Sequence, residues 1–166
     1  MTGEVSTSDA SSEIEESAGS AAEVARVAAR LSSTYVLRTL QLLAQSYGGD
    51  LLTGIVAQAI VAANTAHLDD LGRGGERYAG VNESPPDALR RPVSVLRLAT
   101  SLGLPFETTR RYVNKLVQAG YCVKVSRGVI VPRAVLEQPA MARAIVTNVA
   151  YARRFVRELR RAGVVE

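Results

Sequence analysis

The chain has 166 residues, 47% of them hydrophobic, which is enough for one domain with a real core and helical extensions. A single Cys (Cys122) and a single His (His67) exclude an internal disulfide and a zinc cluster, and they leave no constellation of acid, base and nucleophile for an enzyme. The net charge of +4 conceals an asymmetry: residues 1–87 carry 5 basic and 12 acidic side chains, whereas residues 88–166 carry 15 and 4, which points to a polyanion such as nucleic acid for the second half or to a solvated basic face.

Residues 1–19 are rich in Ser, Thr, Glu and Asp and poor in apolar side chains, so they read as a disordered acidic tail with none of the features of a signal peptide. From about Ser20, Val24, Val27, Leu31, Leu40 and Leu43 recur at helical spacing, and Gly48-Gly49 ends the element. The β-branched and hydroxyl run Ser32 to Val36 leaves open one helix or a broken pair. Asp50 suits an N-cap for a helix to Leu68 with a broad apolar face formed by Leu51, Leu52, Ile55, Val56, Ala59, Ile60 and Ala63. That run is only about long enough to span a bilayer and includes Thr53, Gln58, Asn64, Thr65 and His67. It therefore reads as a core helix, with no membrane partner and a cytoplasmic location expected for the chain. His67, beside Asp69 and Asp70, reads as a charge at a helix C-terminus.

Residues 69–89 hold four Gly and the pair Pro85-Pro86, the composition of a long loop. Gly72-Arg73-Gly74-Gly75 has neither a preceding strand nor a following Lys-Ser/Thr, so it is not a phosphate loop, and no cofactor is expected. A short strand is predicted over Arg90 to Val95, with Ser94 capping a helix through Leu102. Gly103 stops that helix, Pro105 suits the first turn of the next, and Gly120 ends the second after about Ala119. Tyr121 to Val125 and Val129 to Val131 form a hairpin across Ser126-Arg127-Gly128, with Gly128 supplying positive φ. Pro132 closes it. Pro139 opens a last helix to about Ala162, where Met141, Ile145, Val149, Ala152, Val156 and Leu159 make a heptad-like seam.

Leu98-Ala99, Leu102-Gly103-Leu104-Pro105, Thr108-Thr109-Arg110-Arg111, Leu116 and Gly120-Tyr121 together resemble the DNA-binding domains of bacterial winged-helix regulators such as the GntR, IclR and DeoR families. The likeness covers roughly a quarter of the chain, and about ninety residues precede it where those families usually begin close to the domain. The periodicity of the second helix is independent of the resemblance. At about 100° per residue, turning Thr109, Val113 and Leu116 inward turns Glu107, Arg111 and Asn114 outward.

The resemblance implies a mainly α fold with a small β-hairpin, a winged helix-turn-helix with flanking N- and C-terminal helices. The expected domains are 20–49 and 133–166 as dimerising extensions around a DNA-binding domain at 50–132. It implies a sequence-specific transcriptional regulator acting on double-stranded DNA as a homodimer, with the helix at 105–119 in the major groove and the wing at 121–132 on the backbone or minor groove. A winged-helix protein-interaction module or a nonspecific architectural DNA binder is the alternative. Thr108 and Arg111 are the candidates for base-edge contact, with Asn114 reading adenine or reaching only phosphate. Arg110 and Lys115 are placed on phosphate. Glu107 either accepts from a cytosine amino group or is a first-turn carboxylate favoured by the helix dipole. Ser94 and Thr100 are placed on phosphate from the first helix of the pair. Lys124 and Arg127 are wing contacts or ordinary solvated hairpin positions. The basic run Arg153, Arg154, Arg157, Arg160 and Arg161 either widens the phosphate footprint or forms the polar side of a dimer seam. The helices at 20–47 and 51–68 either enclose a small-molecule effector pocket or form solid core.

Overall fold

The computed structural model describes residues 7–69 and 84–166, and side chains over 21–68 and 84–166. The fold is mainly helical with one two-stranded antiparallel sheet. Its elements are α1 (Thr7–Ser46), α2 (Leu51–Asp69), a 3-10 turn (Asp87–Leu89), α3 (Val95–Leu102), α4 (Phe106–Gln118), β1 (Val123–Val125), β2 (Gly128–Ile130), a one-turn α5 (Arg133–Leu136) and α6 (Pro139–Arg161).

The chain divides into two compact units, one spanning Thr39–Val149 and the other comprising the residues up to Arg38 with Ala150–Glu166. In the larger unit, α2 is the centre. Val56, Ala57 and Ile60 have no solvent exposure and pack with Val93, Leu98, Val113, Leu116, Cys122, Val129, Val131 and Val135. The run Leu51–Leu68 is long and apolar enough to cross a bilayer, and it is this central helix that meets the criterion. Asp50 caps α2 as predicted: its Oδ1 accepts from the Thr53 N–H at 3.1 Å and its Oδ2 from the Thr53 hydroxyl at 2.7 Å. Where α1 and α2 meet within this unit, a Cβ added to Gly54 would lie 3.0 Å from the Leu43 carbonyl oxygen, so the two helices are in solid contact there and enclose no pocket at that point.

Asn64 ties α2 to the sheet. Its side chain is fully buried, donates to the carbonyls of Arg91 (2.8 Å) and Val129 (3.2 Å), and accepts from the Val131 N–H (3.0 Å). The hairpin pairs Val123 with Ile130, Lys124 with Val129 and Val125 with Gly128, leaving Ser126-Arg127 as the loop. Gly128 has φ +144°, as its place at the turn requires. A second cause lies far away in the chain: a Cβ there would collide with the Val93 carbonyl.

Two expectations are corrected. The tail predicted as disordered over 1–19 is helical from Thr7, the first described residue, and residues 1–6 lie outside the described residues. Glu13, Glu15, Glu16 and Ala18 are good helix formers, so the segment has a helical preference that does not depend on apolar side chains. The strand predicted over Arg90 to Val95 contracts to a single bridge, Val93 with Val129, because Pro92 has no N–H to donate and Ser94 is already committed to capping α3. Met141, the first residue of the predicted seam, is buried within the larger unit.

The interruption at Ser32 to Val36 resolves as one continuous helix. Ser33 and Thr34 hydroxyls donate to the carbonyls of Ala29 and Arg30, four residues back, so their competition with the backbone is satisfied within the helix. In the smaller unit, Tyr35 stacks on Phe155 with ring centres 4.9 Å apart, and Arg154 pairs with Glu158 at 2.7 Å. The loop assigned to 69–89 lies outside the described residues between 70 and 83.

Candidate nucleic-acid interface

The α3–α4 pair is set by three local devices. The Ser94 hydroxyl oxygen accepts from the Arg97 N–H at 3.3 Å and so caps α3. Gly103 closes α3 in the left-handed conformation (φ +63°), and the Leu104 N–H returns to the Ala99 carbonyl at 3.0 Å. Pro105 starts α4, and its carbonyl accepts from both the N–H (3.0 Å) and the hydroxyl (3.2 Å) of Thr109. Thr109, Val113 and Leu116 are buried, and Leu98 and Ala99 are buried on α3, as the spacing predicts.

Burying that stripe turns the opposite side of α4 to solvent. Glu107, Thr108, Arg110, Arg111, Asn114 and Lys115, all predicted, line one open depression together with Gln118, which sequence reasoning missed. Gln118 stands four residues after Asn114 and seven after Arg111, so helical periodicity alone is enough to find it. Thr108 and Asn114 are half-buried, and Glu107, Arg110, Arg111 and Lys115 are exposed.

The structure brings the four other predicted residues nowhere into this depression. Ser94 is occupied as the cap of α3, and the exposed Thr100 hydroxyl donates to the Leu96 carbonyl at 3.0 Å. Lys124 and Arg127 stand exposed on the hairpin, where β1 is solvent-facing along its whole length and β2 is buried from Val129 onward.

Two of the cations on the α4 face are paired with carboxylates. Arg110, assigned to phosphate, donates through Nε (2.9 Å) and Nη2 (2.7 Å) to Glu107 Oε2. This pairing lowers the Glu107 carboxyl below its ordinary range. Lys115, also assigned to phosphate, donates to Asp50 Oδ2 at 2.6 Å. The Lys115 ammonium, with the Thr53 amide and hydroxyl, holds the Asp50 carboxyl far below the usual carboxylate range. Asp50 lies 65 residues from Lys115, and no spacing rule connects the two. Arg111 lies with its guanidinium carbon 5.7 Å from the centre of the half-buried Tyr112 ring, an attractive cation–π arrangement.

Comparison with models of known families, with curated proteins and with solved structures finds no match.

Proposed function

We propose that this chain is a sequence-specific DNA-binding transcriptional regulator, a winged helix-turn-helix in which α4 reads the major groove and the β1–β2 hairpin lies on the backbone or in the minor groove. One observation carries the reading. α4 buries Thr109, Val113 and Leu116 and presents Thr108, Arg111, Asn114 and Gln118 on a single open face that begins in its first turns. Major-groove readers need that combination: a helix fixed from behind, with hydrogen-bonding side chains near its N-terminal end. The order supports the same reading, with α2, the Val93 bridge, α3, α4 and then the hairpin packed about one core.

Within this reading Arg111 is the base reader, since a guanidinium matches the two acceptors on a guanine edge. Thr108 and Asn114 flank it, and Lys124 and Arg127 supply wing contacts. The protein acts as a homodimer, for which the smaller unit offers exposed Val36 (49%), Leu37 (67%) and Val156 (42%). A two-fold dimer would place two such helices on two half-sites of a duplex.

Fluorescence anisotropy with labelled duplex DNA across a salt series tests the reading. Binding that weakens steeply with salt and exceeds binding to competitor DNA is the expected result. Absence of binding at low salt refutes it, and salt-dependent binding without sequence preference leaves an architectural protein in its place.

A further inference from the structure

We infer that Asp50 and Glu107 set the selectivity of the DNA-reading face by holding Lys115 and Arg110, which leaves Arg111 as the cation of α4 that has no carboxylate partner among the described residues. The inference rests on the DNA-binding reading proposed above and names the device that makes the face discriminate.

α4 carries three cations, Arg110, Arg111 and Lys115. Two are matched by carboxylates, at 2.7 Å for Arg110 with Glu107 and 2.6 Å for Lys115 with Asp50. The Asp50 carboxylate does not follow Lys115 freely. It is fixed at the start of α2 by the Thr53 amide and hydroxyl, in an element built into the core. The Glu107 carboxylate sits one turn before Arg110 on the same helix, so it travels with the face. A phosphate that takes up Arg110 or Lys115 must therefore approach a carboxylate as well.

Sequence-independent affinity grows with the number of phosphates a protein neutralises. Two carboxylates on the reading face reduce that number. They leave the Arg111 guanidinium, which lies against Tyr112, available for a base edge. Specificity is a difference between affinities, and disfavouring the wrong complex raises it as well as favouring the right one. Exposed ion pairs such as Arg110 with Glu107 contribute little to stability, so a role in binding accounts for that pair better than a role in folding, while Asp50 serves both as the cap of α2 and as the partner of Lys115.

The test measures the salt dependence of binding to a duplex of random sequence for the full chain and for Asp50→Asn, Glu107→Gln and both together. Asn retains the N-cap of α2, and Glu107 stands on the open surface, so the Glu107 variant decides the question even if the Asp50 variant loses stability. Each variant should steepen the slope of log K against log salt by about 0.9, and the pair by about 1.8. Between 50 and 200 mM salt, one added contact corresponds to an extra factor of roughly 3.5 in lost affinity. The ratio of specific to nonspecific affinity should fall in step. Glu137→Gln removes the same charge away from α4, where Glu137 pairs with Arg133, and should keep the parent slope. Equal shifts at Glu137 and Glu107 would reduce the effect to net charge and overturn the inference. So would parent-like slopes in all variants of a chain that binds DNA, while the regulator reading would stand. Failure of the parent and every variant to bind DNA at low salt would overturn both.

Discussion

Replacing Asn64 with Leu keeps the heavy-atom branching of a fully buried side chain, in a larger volume, and removes every polar contact it makes. The Val131 N–H loses the acceptor it has in Asn64 Oδ1 at 3.0 Å, and the Arg91 and Val129 carbonyls lose donors at 2.8 and 3.2 Å. The Val129 carbonyl still accepts from the Val93 N–H at 3.2 Å, so its loss is partial. An orphaned buried N–H costs about 1–3 kcal/mol and each lost hydrogen bond up to about 1 kcal/mol, which gives about 2–5 kcal/mol in all. With a slope of about 2 kcal/mol per molar urea, the unfolding midpoint should fall by roughly 1–2.5 M at constant slope. Asn64→Asp should be at least as damaging, because a carboxylate would face two carbonyl oxygens in a dry site. Urea unfolding followed by circular dichroism measures both. A loss below about 1 kcal/mol for Asn64→Leu would show that the hairpin is not held to α2 through this side chain.

Gly128→Ala should destabilise by at least about 2 kcal/mol, because the new Cβ meets the Val93 backbone at φ +144°. Gly103→Ala, where an added Cβ meets open space, should cost only the left-handed conformation, about 1 kcal/mol, and thermal unfolding of the two side by side checks the contrast. Burial pushes the Cys122 thiol up to about 12. A raised folded value means stability is complete below the unfolded thiol's value of about 8.5 and is lost as pH rises through that window toward about 12. Cys122→Ala should flatten the decline in urea midpoint between about pH 9 and 11, where the unfolded thiol is ionised and the folded one is not. Arg111→Ala should weaken binding to a preferred duplex by about 1–3 kcal/mol and leave nonspecific binding nearly unchanged, as competition anisotropy would show.

The parts of the fold that were legible in the sequence are those whose causes are local. Ser94, Gly103 and Pro105 act within a turn of their own positions, and the buried trio Thr109, Val113 and Leu116 follows from the period of one helix. The parts that were not legible depend on residues far apart in the chain. Asn64 reads as a polar blemish on an apolar helix until Arg91, Val129 and Val131 are brought to it. Arg90 reads as the start of a strand, yet its side chain is fully buried, with Nη2 on the Pro85 carbonyl at 3.1 Å and Nε 3.3 Å from Asp87. On the open face of α4, periodicity gave the outer row except Gln118, but not its ion pairing, because one of the two carboxylate partners comes from the start of another helix.

Selection of bound sequences from a pool of random duplex DNA decides whether α4 reads DNA, since the pool contains every short site and none has to be chosen in advance. The expected result is enrichment of a short motif containing guanine, repeated with two-fold symmetry at a spacing of about 10 base pairs or a multiple of it, and loss of that enrichment in Arg111→Ala. A pool that stays random after selection with the parent chain would contradict it.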